Sequence, residues 1–209
     1  MIGDKLVITD FHRKSGIRIE QATSERIRRA GRIFTITVAG ESGSGKSETA
    51  ATAAEQLELA GFRVVILAQD DYFRLPPKSN AQRRKLDIDW VGPSEVRLDL
   101  LDSHLEAAKQ GVSSIVKPLI IFEEDRIVEE MLGLENADVV IAEGTYTTLL
   151  EEADFHAFID RTYHDTLWHR KKRARDPAEG DFIERVLEIE HRIISSHRSR
   201  ADLVLSEND

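Results

Sequence analysis

Gly40-Glu41-Ser42-Gly43-Ser44-Gly45-Lys46-Ser47 is the stretch that decides the fold. It fits the pattern G-x-x-x-x-G-K-[ST], in which glycines let backbone N–H groups curl around phosphate oxygens. The lysine reaches the outer phosphates as a point charge, and the Ser47 hydroxyl is a candidate ligand for Mg2+. Upstream, Arg32–Ala39 is β-branched and apolar, as expected of a buried strand. Downstream, Ser47–Ala60 is rich in Ala, Glu and Leu and reads as a helix stopped by Gly61. The positive end of that helix faces the loop. Strand, loop and helix in this order make Gly40–Ser47, with Glu48 beside it, a nucleotide-phosphate site.

Working outward, Arg63–Ala68 reads as a second buried strand running into Gln69-Asp70-Asp71-Tyr72, and Asp138–Ala142 as a third, closed by Glu143-Gly144. Phe155–Asp160 is a fourth and Ala201–Leu205 a short last one. Leu75–Asp89 reads as a polar, proline-bearing loop, and Ser94–Gln110 as a helix opened by Pro93 and Ser94. Val112–Phe122 and Arg126–Met131 form a hairpin through Glu123-Glu124-Asp125. Residues 1–22 read as an extension of two short strands, Lys5–Thr9 and Ile17–Glu20, about a turn at Ser15-Gly16. The basic stretch after Arg161 and Asp181–His197 read as two helices split at Asp176–Gly180. Strands alternating with helices predict a mostly parallel sheet covered on both faces.

The 209 residues fit one domain, with 41% hydrophobic and 32% charged residues, an ordinary globular profile. Without cysteine there is neither a disulfide framework nor a thiolate metal site. No apolar run is long enough to span a bilayer and no signal core opens the chain, so no membrane partner and a cytoplasmic location are expected. A net charge of −9 argues against a nucleic-acid binder. The charge is uneven, since Arg161–Arg175 holds six Lys/Arg residues and a single Asp. The seven histidines show no metal-ligand spacing. His164, His169, His191 and His197 read as surface or core residues.

The loop occurs in several enzyme classes. Transporter ATPases add Leu-Ser-Gly-Gly-Gln, which is absent. The Asp-x-x-Gly and Asn-Lys-x-Asp signatures of GTPases do not stand where a GTPase needs them. Small kinases remain. Ligands of open α/β sheets bind at the carboxyl ends of strands, where Asp70, Asp71 and Glu143 lie. Phosphorylating a hydroxyl needs a base for its proton and a carboxylate beside Mg2+, and one acid at each strand end supplies both. In Arg170-Lys171-Lys172-Arg173-Ala174-Arg175, a helix puts Lys172 and Arg175 on one face, where they can fold over a transferring phosphoryl group.

Taken together, the loop, Gln69-Asp70-Asp71-Tyr72-Phe73-Arg74, Val-Val-Ile-Ala-Glu143-Gly144 and a basic segment closing in Arg175-Asp176 resemble the uridine kinase/phosphoribulokinase family. That family also includes pantothenate and nicotinamide riboside kinases. The resemblance runs from about Ile33 to Leu205 and implies one P-loop kinase domain over residues 1–209. It implies a five-stranded parallel core and a lid over about 161–180. It also implies ATP- and Mg2+-dependent phosphorylation of a small molecule's hydroxyl. By the resemblance Asp70 is the general base, Glu143 with Ser47 the metal side, and Lys46, Lys172 and Arg175 the cations on the phosphates. Tyr72 and Asp89 fall on the substrate side, with Asp89 toward sugar hydroxyls. Two segments depart from the family. Pro177-Ala178-Glu179-Gly180-Asp181 stands in place of a further arginine, so the lid leans on Arg173 or Arg170. Ile120 and Asp125 stand where uridine kinases carry the base-recognising aromatic and histidine. The acceptor is therefore a nucleoside, a sugar or a vitamin precursor, with Phe122 and Trp90 as candidates to line its pocket. A nucleotide hydrolase and a non-catalytic nucleotide switch are the alternatives, and homo-oligomer formation is left open.

Overall fold

The computed structural model describes residues 6–165 and 180–207. Its centre is a five-stranded parallel sheet in the order β2-β5-β1-β6-β7. The strands are β1 (Phe34–Gly40), β2 (Val64–Ala68), β5 (Val139–Glu143), β6 (Phe155–Ile159) and β7 (Leu203–Leu205). An antiparallel hairpin of β3 (Ser114–Ile121) and β4 (Arg126–Gly133) stands apart from it. The helices are α1 (Asp10–Ala30), α2 (Lys46–Leu59), α3 (Pro77–Leu86), α4 (Leu98–Lys109) and α5 (Gly180–Ile194).

Strand β1 is buried along its whole length because helices cover both its faces. Phe34, Ile36 and Val38 pack with Ile19 and Ile27 of α1 and Ala50, Ala53 and Leu57 of α2. On the other face Leu101, Leu105 and Ala108 of α4 meet Leu67, Val140, Ala142 and Tyr146. Each fully buried aliphatic side chain contributes about 1.5–3 kcal/mol relative to exposure. Register places the chemistry: Val38 of β1 and Ala68 of β2 both pair with Glu143 of β5. Gly40 and Asp70 therefore lie two residues beyond the level of Glu143 on either side of it.

From Asp10 onward the N-terminal extension is helical, so Ile17–Glu20 is not a strand, and Leu6–Thr9 forms none either. Within α1 the buried positions Ser15, Gly16, Ile19, Thr23 and Ile27 recur at helical spacing and face α2. Gly16 marks a helix crossing and not a turn. A Cβ there would lie 2.7 Å from the Thr52 carbonyl carbon and 2.8 Å from its oxygen. Thr52 Oγ1 also donates to the His12 carbonyl at 2.7 Å. Gly16→Ala is therefore expected to destabilise the protein by about 1–3 kcal/mol, because backbone atoms cannot give way. An exposed helical glycine replaced by alanine would instead gain up to about 1 kcal/mol. Thermal unfolding of the variant reads the sign.

Three further expectations change. Leu75–Asp89 contains α3, with Pro77 in its first turn and Arg83, Arg84 and Lys85 in its last. Its buried face is polar, so no apolar period announces it. The helix expected from Ser94 starts only at Leu98, after a separate 3-10 turn at Pro93–Glu95. Strand β2 is an edge strand and only partly buried, so its apolar run reports one covered face and not two. The hairpin, the remaining strands and helix α2 follow the expected order.

Candidate active site

The phosphate loop leaves β1 and enters α2, whose N-cap is Gly45. Gly45 has φ +94°, and a Cβ on it would lie 2.4 Å from Nε2 of His12, so α1 supports the loop from behind. Lys46 Nζ donates to the Glu41 carbonyl at 2.9 Å, across the mouth of the loop. The Ser44 hydroxyl is buried and has no hydrogen-bond partner among the described residues. Glu48 is buried in the first turn of α2, with the Val7 N–H 3.5 Å from its Oε1. Glu41 is expected from its sequence position to contact nucleotide, and its carboxylate faces elsewhere. It accepts from the Tyr163 N–H at 2.6 Å and bonds His191 Nδ1 at 2.6 Å. The loop is thereby tied to Tyr163, near the start of the basic stretch, and to His191 beyond it.

At the ends of β2 and β5 the acids separate by environment. Asp70 is exposed in a 3-10 turn and has no hydrogen bond or ion pair among the described residues. Its neighbour Asp71 is buried, salt-bridged to Lys117 Nζ at 2.8 Å, and accepts from the Ile120 N–H at 3.2 Å. Asp71 thus anchors the hairpin, and of the two acids only Asp70 is exposed. Glu143 accepts from the Ser47 hydroxyl at 3.2 Å. Burial, and then the charge of Asp70, push the Glu143 carboxyl up to about 7, against the opposing pull of Lys46 and the Ser47 hydrogen bond.

This donor set fits Mg2+. The ion takes one or two carboxylates together with substrate phosphates and water, and a complete protein cage is not required. Glu143 is a buried carboxylate with the Ser47 hydroxyl on its oxygen and an anion-binding loop adjoining it. Among the described residues no cluster of three or more His, Cys, Asp or Glu forms a closed metal site.

The acceptor side departs further from expectation. Tyr72 is fully buried, with its hydroxyl 2.8 Å from His104 Nδ1, so it has no exposed atom with which to contact substrate. Asp89 is exposed on the short turn Ile88–Trp90. Trp90 donates from Nε1 to Asn80 Oδ1 at 2.8 Å, and the Arg83 guanidinium covers its ring. Asp125, at the hairpin tip, caps α3: it accepts from the Lys78 N–H at 2.6 Å and from the Ser79 hydroxyl at 2.7 Å. Those bonds, led by Ser79, hold its carboxyl below the usual aspartate value. Ile120 is buried, and Phe122 is exposed where the hairpin turns.

Lys172, Arg175, Arg170, Arg173 and His169 lie outside the described residues. The stretch leading to them is anchored: Arg161 is buried over the Phe11 ring and pairs with Glu207 at 2.9 Å. Sequence reading missed His191, which bonds the phosphate loop, and a buried cluster of Arg84, Glu95 and Glu190. A legible signal existed for Glu190. On α5 it shares the buried stripe of Val186, Leu187 and Ile194, where an apolar residue belongs.

The model of the Phosphoribulokinase / Uridine kinase family matches residues 35–197. The chain is 29% identical over 187 residues to the bifunctional alpha-galactosidase/sucrose kinase of Mediterraneibacter gnavus, covering 83% of this chain and 20% of that protein. It therefore spans about a fifth of that relative's length. With the uridine kinase of Shewanella piezotolerans it shares 31% identity over 150 residues, 69% of either chain. Among solved structures, a protein described as a fructose transport system kinase from Silicibacter sp. TM1040 superposes with a TM-score of 0.66 at 19% identity, covering 91% of this chain and 98% of that one. Among the described residues no helix is long and apolar enough to cross a membrane.

Proposed function

Since the chain belongs to the phosphoribulokinase/uridine kinase family, we propose that it is an ATP- and Mg2+-dependent phosphotransferase acting on a hydroxyl of a small metabolite. The observation that carries this reading is the in-register convergence of the phosphate loop, Asp70 and Glu143 on one sheet edge. The loop and Lys46 bind the donor phosphates. Ser47 and Glu143 would hold Mg2+, which when bound neutralises charge on the phosphate oxygens. Asp70 takes the proton of the acceptor hydroxyl as that oxygen bonds the γ-phosphorus. The bond from the γ-phosphorus to the bridging oxygen breaks, and ADP leaves. Lys172 and Arg175 cover the group in transit.

The acceptor is not a pyrimidine nucleoside held in the uridine kinase manner. Asp125 is committed to capping α3 and Ile120 is buried, so neither position offers a base contact. The names of the relatives, sucrose kinase and uridine kinase, leave sugars and other alcohols in view.

The test is ADP release measured with and without acceptor alcohols, in the presence of Mg2+ and after chelation. Release that needs both an acceptor and the metal is the expected result. Equal release without any acceptor would identify a nucleotide hydrolase instead. Release that survives full chelation would remove the metal from the proposal.

A further inference from the structure

Lys117 lies in the middle of β3, yet its side chain is only 7% exposed. Lysine is almost never buried to that degree without a partner. Its ammonium pairs with Asp71 Oδ2 at 2.8 Å and with Glu130 Oε2 at 3.1 Å, and donates to the Pro118 carbonyl at 3.1 Å. Glu130 stands directly opposite it across the hairpin. The second oxygen of Asp71 accepts from the Ile120 N–H. One carboxylate just beyond β2 thus grips β3 at two points. The hairpin does not need this grip for attachment. At its open end Ile115 joins the core with Leu105 and Val140, and Leu132 packs against them. At its tip Asp125 is bound to α3. A buried ion pair adds little net stability over well-packed apolar side chains, so stability alone does not account for this one.

The pair acts on the turn that carries Asp70. Gln69–Tyr72 is a short 3-10 turn, and every side chain in it except that of Asp70 is fastened to another element. Gln69 is buried, and its Oε1 accepts from the Tyr146 N–H at 2.7 Å, three residues beyond Glu143. Asp71 is held by Lys117 and Ile120 of the hairpin. The Tyr72 hydroxyl is bound to His104, and its carbonyl accepts from the Arg97 N–H at 2.8 Å. Asp70 is exposed and makes no hydrogen bond or ion pair among the described residues. Its carboxylate is therefore placed by its backbone, and the backbone is placed by the neighbours on both sides. A misplacement of about 1 Å at a reacting group costs on the order of 10²-fold in rate.

We propose that Lys117 is a positioning residue for phosphoryl transfer: through Asp71 it fixes the turn that presents the Asp70 carboxylate to the acceptor hydroxyl. This rests on the reading of Asp70 as the base. Gln69 ties the turn to the segment after β5, and Asp71 ties it to the hairpin. The base is thereby registered against Glu143 on one side and against the hairpin on the other. Without the ammonium, Asp71 either turns toward water or takes a proton, and in both cases its hold on the hairpin weakens.

Lys117→Met alone leaves Asp71 charged and buried without its cation, at a heavy cost in stability. The test therefore uses Lys117→Met/Asp71→Asn, which removes both charges and nearly keeps both shapes, in the full chain with Asp70 intact and with Asp70→Asn. ADP release is measured with uridine, D-ribose, D-glucose and pantothenate, and with water as the acceptor should none of them react. With Asp70 intact, kcat is expected to fall about 10- to 100-fold while the KM for ATP stays unchanged. The melting temperature is expected within about 4 °C of the wild type. In the Asp70→Asn background the same two changes are expected to cost less than about two-fold, because the group they position is already gone. Wild-type kcat in the paired variant would overturn the proposal and leave Asp70 standing as the base. An equal loss in both backgrounds, or a melting temperature lower by about 10 °C or more, would show that the pair only holds the fold and would overturn it as well. Wild-type turnover in Asp70→Asn by itself would sink the base reading instead.

Discussion

Asp70→Asn is expected to lower turnover by about 10²- to 10⁴-fold, the usual worth of a positioned general base, with nucleotide affinity nearly unchanged. The geometry makes this a clean substitution. Asp70 is exposed and makes no hydrogen bond or ion pair among the described residues, so replacing it breaks nothing that holds the fold. The carboxylate and the amide have nearly the same shape, and only proton affinity is lost. Steady-state kinetics with the acceptor found by screening, beside equilibrium binding of a fluorescent ATP analogue, separates the two effects. Unchanged turnover would remove Asp70 from the role of base. Lost binding would show instead that the residue shapes the donor site. Asp71→Asn should behave differently, since it disrupts the buried pair with Lys117 and loosens the hairpin.

Glu143→Gln is expected to do two opposite things: abolish transfer and stabilise the protein in the absence of ligand. The Glu143 carboxyl is pushed from its ordinary value of 4.5 up to about 7, chiefly by burial and then by the charge of Asp70. The folded state therefore holds this proton more tightly than the unfolded chain does. The stabilisation that follows is fully present below about pH 4.5 and is lost as pH rises through about 7. At pH 8 the wild type carries a buried charge whose cost is on the order of 3 kcal/mol, and glutamine carries none. For a chain of this size a melting temperature higher by roughly 5 °C or more follows at pH 8. Near pH 5 the difference shrinks to roughly 1 kcal/mol, because Glu143 is then largely neutral in the folded state as well. Thermal melts of both proteins at the two pH values test the claim, and an equal gain at both would refute the link to ionisation. Loss of transfer accompanies the gain because the carboxylate that destabilises the empty site is the one that would hold the metal. Asp70→Asn should reproduce part of the pH 8 gain by removing the neighbouring negative charge.

The N-terminal segment shows where sequence reading failed and why. Ser15-Gly16 reads locally as a turn, since glycine beside serine is the usual punctuation between strands. The glycine is required instead by Thr52, 36 residues away, whose backbone leaves no room for a Cβ. Helix α3 fails for a related reason. Its inward residues are Asn80 and Arg84, bound to Glu95, so its buried face looks like a solvated one. Its N-terminus is capped by Asp125, from the tip of a hairpin that no local pattern links to it. The adjacent acids Asp70 and Asp71 look equivalent in sequence. They differ only because Lys117 and the Ile120 N–H arrive from the hairpin to claim one of them.

The sequence by itself determined the phosphate loop, the alternation of strands and helices, and the acid that ends β5. These are local properties: glycine spacing, side-chain period and a charge placed directly after an apolar run. Only the tertiary structure decided that α1 is a helix supporting the loop and that Asp70 is exposed while Asp71 is buried. It also decided that Glu41 serves His191 and Tyr163. Each of these depends on a partner far away in the chain, and a partner's position is set by packing, which no local pattern encodes.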